Sequence, residues 1–407
     1  MPWYAVLPFV AMLVAIAICP LWVPHWWERN RNKLLVSCGL GLPVAGFYLV
    51  QRPPALLHTL EEYLSFMLLL AALYTISGGI RLTGDLEATP LTNTAFLAVG
   101  SVLASLIGTT GASVLLIRAL LETNRERSRV IHTVVFFIFL VSNIGGLLTP
   151  IGDPPLLLGY LKGVPFFWPL RLWRHWLVAV GALLVTYFVW DSIQHAREPL
   201  ARLRRDRSEL RPLRVEGAVN ALALLGVVAA IALLHAPWRE GLILGLAGVS
   251  LWLTPRRVWH ANGFTAAPMV EVAVLFLGIF LTMIPALEIL RARGPELSVQ
   301  APWQFFWATG LLSSFLDNAP TYLAFLALAQ GLGLTNDVVG VSHEVLAAIS
   351  VGAVFMGAST YVGNAPNFMI KAMVEQSGVK MPTFLGYMGY SAAILLPLFV
   401  VLTFLLF

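Results

Sequence analysis

This 407-residue chain is short of charge. Asp, Glu, Lys and Arg make up 12% of its residues, against about 25% in a soluble globular protein. Cysteine is almost missing too: Cys19 and Cys38 are the whole complement. Both lie in apolar runs, so a disulfide framework is not expected. No His or Cys spacing suits a metal motif, no glycine-rich loop suits a nucleotide, and no nucleophile stands beside a general base. These absences leave an enzyme little to work with, and a cofactor none of its usual motifs. What the chain has in quantity is oil. Hydrophobic residues make up 58%, and the mean hydropathy is +0.80. Such a chain needs a lipid bilayer as its partner. In lipid each segment must satisfy its own backbone, so an all-α polytopic membrane protein is expected. The 33 Gly and 25 Pro are too many for a plain bundle of helices.

A spanning helix needs about 20 mainly apolar residues. Runs of that kind occur at 4–23, 33–51, 60–80, 129–148, 173–193, 216–235, 239–254, 268–289, 345–362 and 382–407. The first lacks the basic start and small-residue cleavage pattern of a signal peptide and reads as a span. Two more apolar stretches, 92–122 and 302–330, are broken near their centres. One breaks at Gly108-Thr109-Thr110-Gly111, the other at Leu316-Asp317-Asn318-Ala319-Pro320. Each is either one kinked span or a re-entrant hairpin. Lys and Arg concentrate in cytoplasmic loops, and that bias decides. With both stretches as hairpins and the N-terminus outside, 18 of the 26 basic residues fall inside and 7 outside, with Arg118 within the first hairpin. Ten crossings and two extracytoplasmic termini are therefore expected. The net charge of +5 then serves orientation, and no nucleic-acid partner is expected.

The chain also repeats itself. Glu62 and Glu271 open similar runs, and a hairpin tip follows each after 46 residues, at Gly108 and Asp317. Gly146-Leu-Leu-Thr149-Pro-Ile-Gly152-Asp153-Pro-Pro155 matches Gly357-Ala-Ser-Thr360-Tyr-Val-Gly363-Asn364-Ala-Pro366. An odd number of crossings separates the copies, so they face opposite ways. Inverted repeats with broken helices mark secondary transporters. The expected units are a first repeat at 1–195, a cytoplasmic Arg-rich linker at 196–214 and a second repeat at 215–407.

The breaks are polar at membrane depth. A charge there costs about 2.5–3.5 kcal/mol or more, so it persists only beside a cavity or a partner. Asp153 and Asp317 are the two acids at the breaks. Around them stand Thr109, Thr110, Ser113, Ser142, Asn143, Thr149, Asn318, Thr321, Ser359, Thr360, Asn364 and Asn367. All offer hard oxygens, which suit Na⁺ or Li⁺ rather than a soft metal. The same Asp-Pro and Asn-Ala-Pro steps also serve as N-caps for restarted helices. Glu62 and Glu271 are expected near the interface, and Arg118 in an i,i+4 pair with Glu122. Lys371 is either an inside anchor or the cation that holds an empty site. His58, His132 and His343 show no metal spacing. Trp26, Trp27, Trp168 and Trp173 suit the interfacial belt.

Ser142-Asn-Ile-Gly-Gly-Leu-Leu-Thr-Pro-Ile-Gly-Asp-Pro-Pro155 resembles the signature loop of NhaD-type sodium/proton antiporters and of citrate-transporter-like families in the ion transporter superfamily. Leu316-Asp-Asn-Ala-Pro-Thr321 and Tyr361-Val-Gly-Asn-Ala-Pro-Asn367 resemble their second-half motifs. The resemblance covers nearly the whole chain. It implies two inverted repeats, each with a re-entrant hairpin and an interrupted helix, in a homodimer of the bacterial inner membrane with elevator-like transport domains. The family positions that carry over are Asn143, Asp153, Asp317, Asn318 and Asn364. Dicarboxylate members use a Ser-Asn-Thr triplet at each hairpin tip, and this chain does not. An Asp at a tip repels a di- or tricarboxylate. Exchange of Na⁺ (or Li⁺) for H⁺ is therefore the leading expectation. Cation-coupled uptake of citrate or a dicarboxylate and export of a neutral oxyacid such as arsenite are the alternatives.

Overall fold

The computed structural model describes residues 2–208, 210–296, 299–333 and 337–407. After a 3-10 turn at Trp3–Val6, α1 (Leu7–Trp22) leads through α2 (Pro24–Trp27) to α3 (Asn30–Gln51) and α4 (Pro53–Gly78). Strand β1 (Arg81–Asp85) precedes α5 (Pro90–Ile107) and α6 (Thr109–Thr123). Next come α7 (Ile131–Leu140), a 3-10 turn at Ile144–Leu148, α8 (Pro154–Leu161) and α9 (Trp173–His195). Helix α10 (Leu200–Ser208) and strand β2 (Arg211–Glu216) fill the linker, whose Glu209 lies outside the described residues. The second half contains α11 (Val219–Leu233), α12 (Trp238–Leu253), α13 (Arg256–Ala261), α14 (Ala267–Arg293), α15 (Pro302–Phe315) and α16 (Asn318–Leu332). It closes with α17 (His343–Met356), a 3-10 turn at Gly357–Ser359, α18 (Ala365–Gln376) and α19 (Phe384–Leu406).

The architecture is mainly helical, with eight stretches among the described residues long and apolar enough to cross a membrane. Seven coincide with apolar runs of the sequence, and the eighth, Pro90–Ile107, is the first arm of a broken stretch. The runs at 216–235 and 239–254 fold as the shorter helices α11 and α12, and 345–362 as α17 plus its 3-10 turn. Fifteen residues of α11 rise about 23 Å, less than the roughly 30 Å of a hydrocarbon core. Pro237 and the His235-Ala236 step separate α11 from α12, which shortens both.

Burial sorts the helices by role. Long helices such as α1, α3, α9 and α19 expose Leu, Val and Phe along one side, as lipid-facing helices do. Helices α7 and α17 are apolar all round and almost wholly buried, which marks the centre of the molecule. Both broken helices thus run through the core. Arms α5 and α6 pack against each other, as do α15 and α16, so each broken stretch is a helical hairpin.

The two-stranded ribbon was not legible as strand. β1 pairs antiparallel with β2, with Arg81 opposite Glu216, Leu82 opposite Val215 and Thr83 opposite Arg214. Each strand is short and charged, and the pairing joins segments 130 residues apart in sequence, so no local periodicity announces it. The ribbon ties the linker to the end of α4. Nearby, Arg207 pairs with Glu87 at 2.7 Å, Glu198 accepts from Ser128 Oγ at 2.7 Å, and Arg127 pairs with Asp191 at 2.7 Å. A separate group of contacts joins Lys162 to Glu62, Arg52 to Glu288 and Trp168 to His343.

Candidate functional site

The central breaks are built twice from the same parts. In the first half, Ser105 Oγ donates to Gly145 O at 2.5 Å and accepts from Leu148 N at 3.1 Å. The Thr149 hydroxyl returns a bond to Ser105 O. In the second half, Ser314 Oγ donates to Met356 O at 3.0 Å, and Thr360 Oγ1 donates to Ser314 O at 2.5 Å. Unwound backbone in a core must find partners, and these hydroxyls supply them. The chain also crosses itself closely at both breaks. A Cβ on Gly152 would collide with Gly146 O, and one on Gly363 with Gly357 O. Pro154 and Pro366 then start α8 and α18 within the first turn, where a missing N–H costs nothing.

Asp153 is the hub. It is 1% exposed, and four segments meet at its carboxylate. Thr109 Oγ1, at the first hairpin tip, donates to Oδ1 at 2.8 Å. Asn364 Nδ2, at the second break, donates to Oδ1 at 3.0 Å. Asn318 Nδ2, at the second hairpin tip, donates to Oδ2 at 2.6 Å. Gly108, with φ of +85°, turns the first hairpin so that Thr109 faces the centre. Asn318 spends its amide nitrogen on Asp153, while its Oδ1 is buried without a partner among the described residues. No basic side chain among the described residues forms an ion pair with Asp153 or Asp317. The centre therefore offers a carboxylate, an unspent amide oxygen and hydroxyls. Such a donor set accommodates a hard monovalent cation or a proton.

Asp317 plays a different local part. It is half-buried and caps α16, accepting from Ala319 N at 3.0 Å. Thr321 Oγ1 bonds the Asp317 backbone at 2.9 Å and so belongs to the cap. Asn143 and Asn367 join the two breaks across the repeat, with Asn143 Nδ2 donating to Asn367 Oδ1 at 2.7 Å. Asn367 Nδ2 also holds Gly357 O and Thr360 O, each at 2.9 Å. Asn143 Oδ1 accepts from Asn364 Nδ2 at 3.2 Å. Ser142 contributes its carbonyl to Asn364 and shares a 2.8 Å hydroxyl bond with Ser113. Thr149 and Thr360 hold the breaks, and Thr110 stands aside from Asp153, facing a cavity.

That cavity, about 160 Å³, is lined by Tyr74, Ser77, Thr110, Arg118, Asn262 and Gln376 among others. It runs from the Arg118 end of α6 toward the hairpin tip. Arg118 is the charged side chain on its wall. Arg118 does not pair with Glu122, as its spacing suggests. Its Nη1 bonds Ala261 O at 2.6 Å, while Glu122 pairs with Arg125 at 3.3 Å. Lys371 pairs with Glu375 at 2.7 Å and lies over the Tyr361 ring, so it does not fill the centre. Glu62 stands nine residues into α4 and is buried against Lys162 at 2.6 Å. Glu271 pairs with the buried Lys33 at 2.7 Å. Ser105 and Ser314 were missed by motif. Their signal was positional: each stands three residues before a hairpin tip at the repeat offset.

The fold and centre define a multi-pass helical membrane protein with broken helices meeting at a buried carboxylate, the build of a transporter. The chain belongs to the CitMHS_2 family, whose model, described as "Putative citrate transport", matches residues 1–407. A search of curated proteins finds no match.

Proposed function

We propose that this chain is a secondary transporter that exchanges Na⁺ (or Li⁺) for H⁺, with the two ions competing for Asp153. The observation that carries this is the Asp153 centre: a carboxylate 1% exposed, with a buried amide oxygen of Asn318 left unspent beside it. A buried charge without a counter-charge is costly, so Asp153 takes either a proton or a cation. Binding one excludes the other, and that competition is exchange. Asp317 lies at the adjoining tip and adds negative field to the same region. Two inverted repeats, ten crossings and an elevator-type motion of the hairpin and break units complete the proposal, together with a homodimer. The doubled construction of the breaks supports the repeat, because Ser105/Thr149 and Ser314/Thr360 make the same bonds.

A specific observation favours a second function. Arg118 brings positive charge to the cavity beside the hairpin tip, and the family is described for citrate. Cation-coupled carboxylate uptake would use the Asp153 cation as coupling ion. The discriminating experiment uses proteoliposomes with an internal pH dye. Exchange predicts that a Na⁺ gradient moves protons without any carboxylate, and that Asp153→Asn abolishes the signal. Proton movement that appears only when citrate is added would favour the second function.

A further inference from the structure

Three of the seven basic residues assigned to outer loops converge on one groove. Arg52, Arg291 and Arg293 line a cavity of about 450 Å³ together with Glu288. The groove lies where α3 ends at Gln51 and α14 ends at Arg293. Both helices belong to stretches long and apolar enough to span a membrane, so the groove sits at headgroup depth.

Glu288, the one acid on the wall among the described residues, is already engaged. Arg52 Nη1 approaches both its oxygens at 3.4 Å, and Tyr48 OH donates to it at 3.1 Å. Arg291 spends Nε on Gln330 Oε1 at 2.9 Å, which leaves the fork of its guanidinium for another acceptor. The Arg293 guanidinium lies 5.0 Å above the Trp3 ring. Trp3, and Tyr4 and Leu7 that follow it on the 3-10 turn and the start of α1, are exposed by 45%, 71% and 62%. A cation at a helix C-terminus is ordinary, because it meets the negative end of the dipole. The dipole and Glu288 account for the charges being there, but neither gives an acceptor to the fork of Arg291 or to Arg293 beside Trp3. Outer loops also select against Lys and Arg, so Arg291 and Arg293 together there call for an acceptor. Guanidinium forks match phosphate oxygens, and basic pockets at helix ends bind acidic headgroups.

We propose that this groove binds the phosphate headgroup of an acidic phospholipid. The phosphate sits between Arg291 and Arg293, and the acyl chains follow Tyr4 on the 3-10 turn and Leu7 on α1. The site is separate from the Asp153 centre and does not depend on the transported ion.

The test compares nanodiscs of phosphatidylcholine alone with nanodiscs containing phosphatidylglycerol, for the parent and for Arg291→Gln/Arg293→Gln. The double variant leaves Arg52, Glu288 and Tyr48 in place. The parent is expected to melt several degrees higher with phosphatidylglycerol, and the variant to lose that shift while melting like the parent in phosphatidylcholine. Native mass spectrometry of the parent with equal amounts of the two lipids reads the same preference without a variant, as several-fold enrichment of phosphatidylglycerol. Equal melting of the parent in the two bilayers, or equal retention of the two lipids, overturns the proposal. So does a variant that keeps the shift. A matching rise on adding inorganic phosphate to phosphatidylcholine discs would assign the groove to a soluble anion and overturn the lipid.

Discussion

Side chains at the breaks divide into those that hold the backbone and those that face the centre. Thr149 and Thr360 hold it, each bonding a serine carbonyl one hairpin away. Thr360→Ala removes the hydroxyl from a buried carbonyl and from Val362 N and Gly363 N. The expected cost is about 1–3 kcal/mol, the penalty for buried groups left unpaired. Thermal melting of purified protein checks it: Thr360→Ala should melt clearly below the parent, and Thr360→Ser should recover most of the loss. Asp153 faces the centre. It stood out in the sequence by scarcity, because few acids occur in so apolar a chain and it sits at a helix break. Its partners were legible only in part. Asn318 and Asn364 stood out as polar residues at breaks. That all of them turn toward Asp153 rather than toward their own helices depends on non-local packing, which spacing cannot express. Asn367 shows the limit well: its place at the break was legible, but not that its oxygen takes Asn143 and its nitrogen takes two carbonyls.

At the scale of elements, the hairpins and broken helices were readable because Gly, Pro and Asn punctuate otherwise unbroken oil. The β1–β2 ribbon was not, since its pairing is between distant segments. It carries a titration of its own. Asp85, at the end of β1, is 3% exposed. Burial, with Glu126, Glu122 and Asp206 nearby, pushes its carboxyl up to about 6. Asp206 on α10 is raised as well, chiefly by burial. A carboxyl with a raised folded-state value favours folding when protonated. Its contribution is complete below the unfolded value near 4 and is lost as pH rises through about 6. The melting temperature is therefore expected to fall between pH 4.5 and 7. Asp85→Asn should flatten that fall and stabilise the protein at pH 7. A parent profile that the substitution leaves unchanged would remove Asp85 from this role.

For the whole molecule, the placement of basic residues sets an expected orientation. Arg204 lies on the linker helix and Gln300 precedes α15, and both are exposed. In a background with Cys19 and Cys38 replaced by Ser, a cysteine at 204 should react with a membrane-impermeant reagent only from the cytoplasmic side. One at 300 should react only from outside. Labelling of both from one side would contradict the inverted arrangement. The broad class was plain from composition, since each apolar run had to fold as a helix. The helix lengths were less so: α11 and α12 are cut short around Pro237, and Pro90–Ile107 is long although it is a hairpin arm.

All three scales meet at one claim, that a cation and a proton compete for Asp153. The most direct measurement is proton flux from proteoliposomes under an imposed Na⁺ gradient, with no carboxylate present, for the parent and Asp153→Asn. Na⁺-dependent alkalinisation or acidification by the parent, absent in the variant, is the predicted result. No Na⁺-dependent flux in the parent, or equal flux in the variant, would contradict the account.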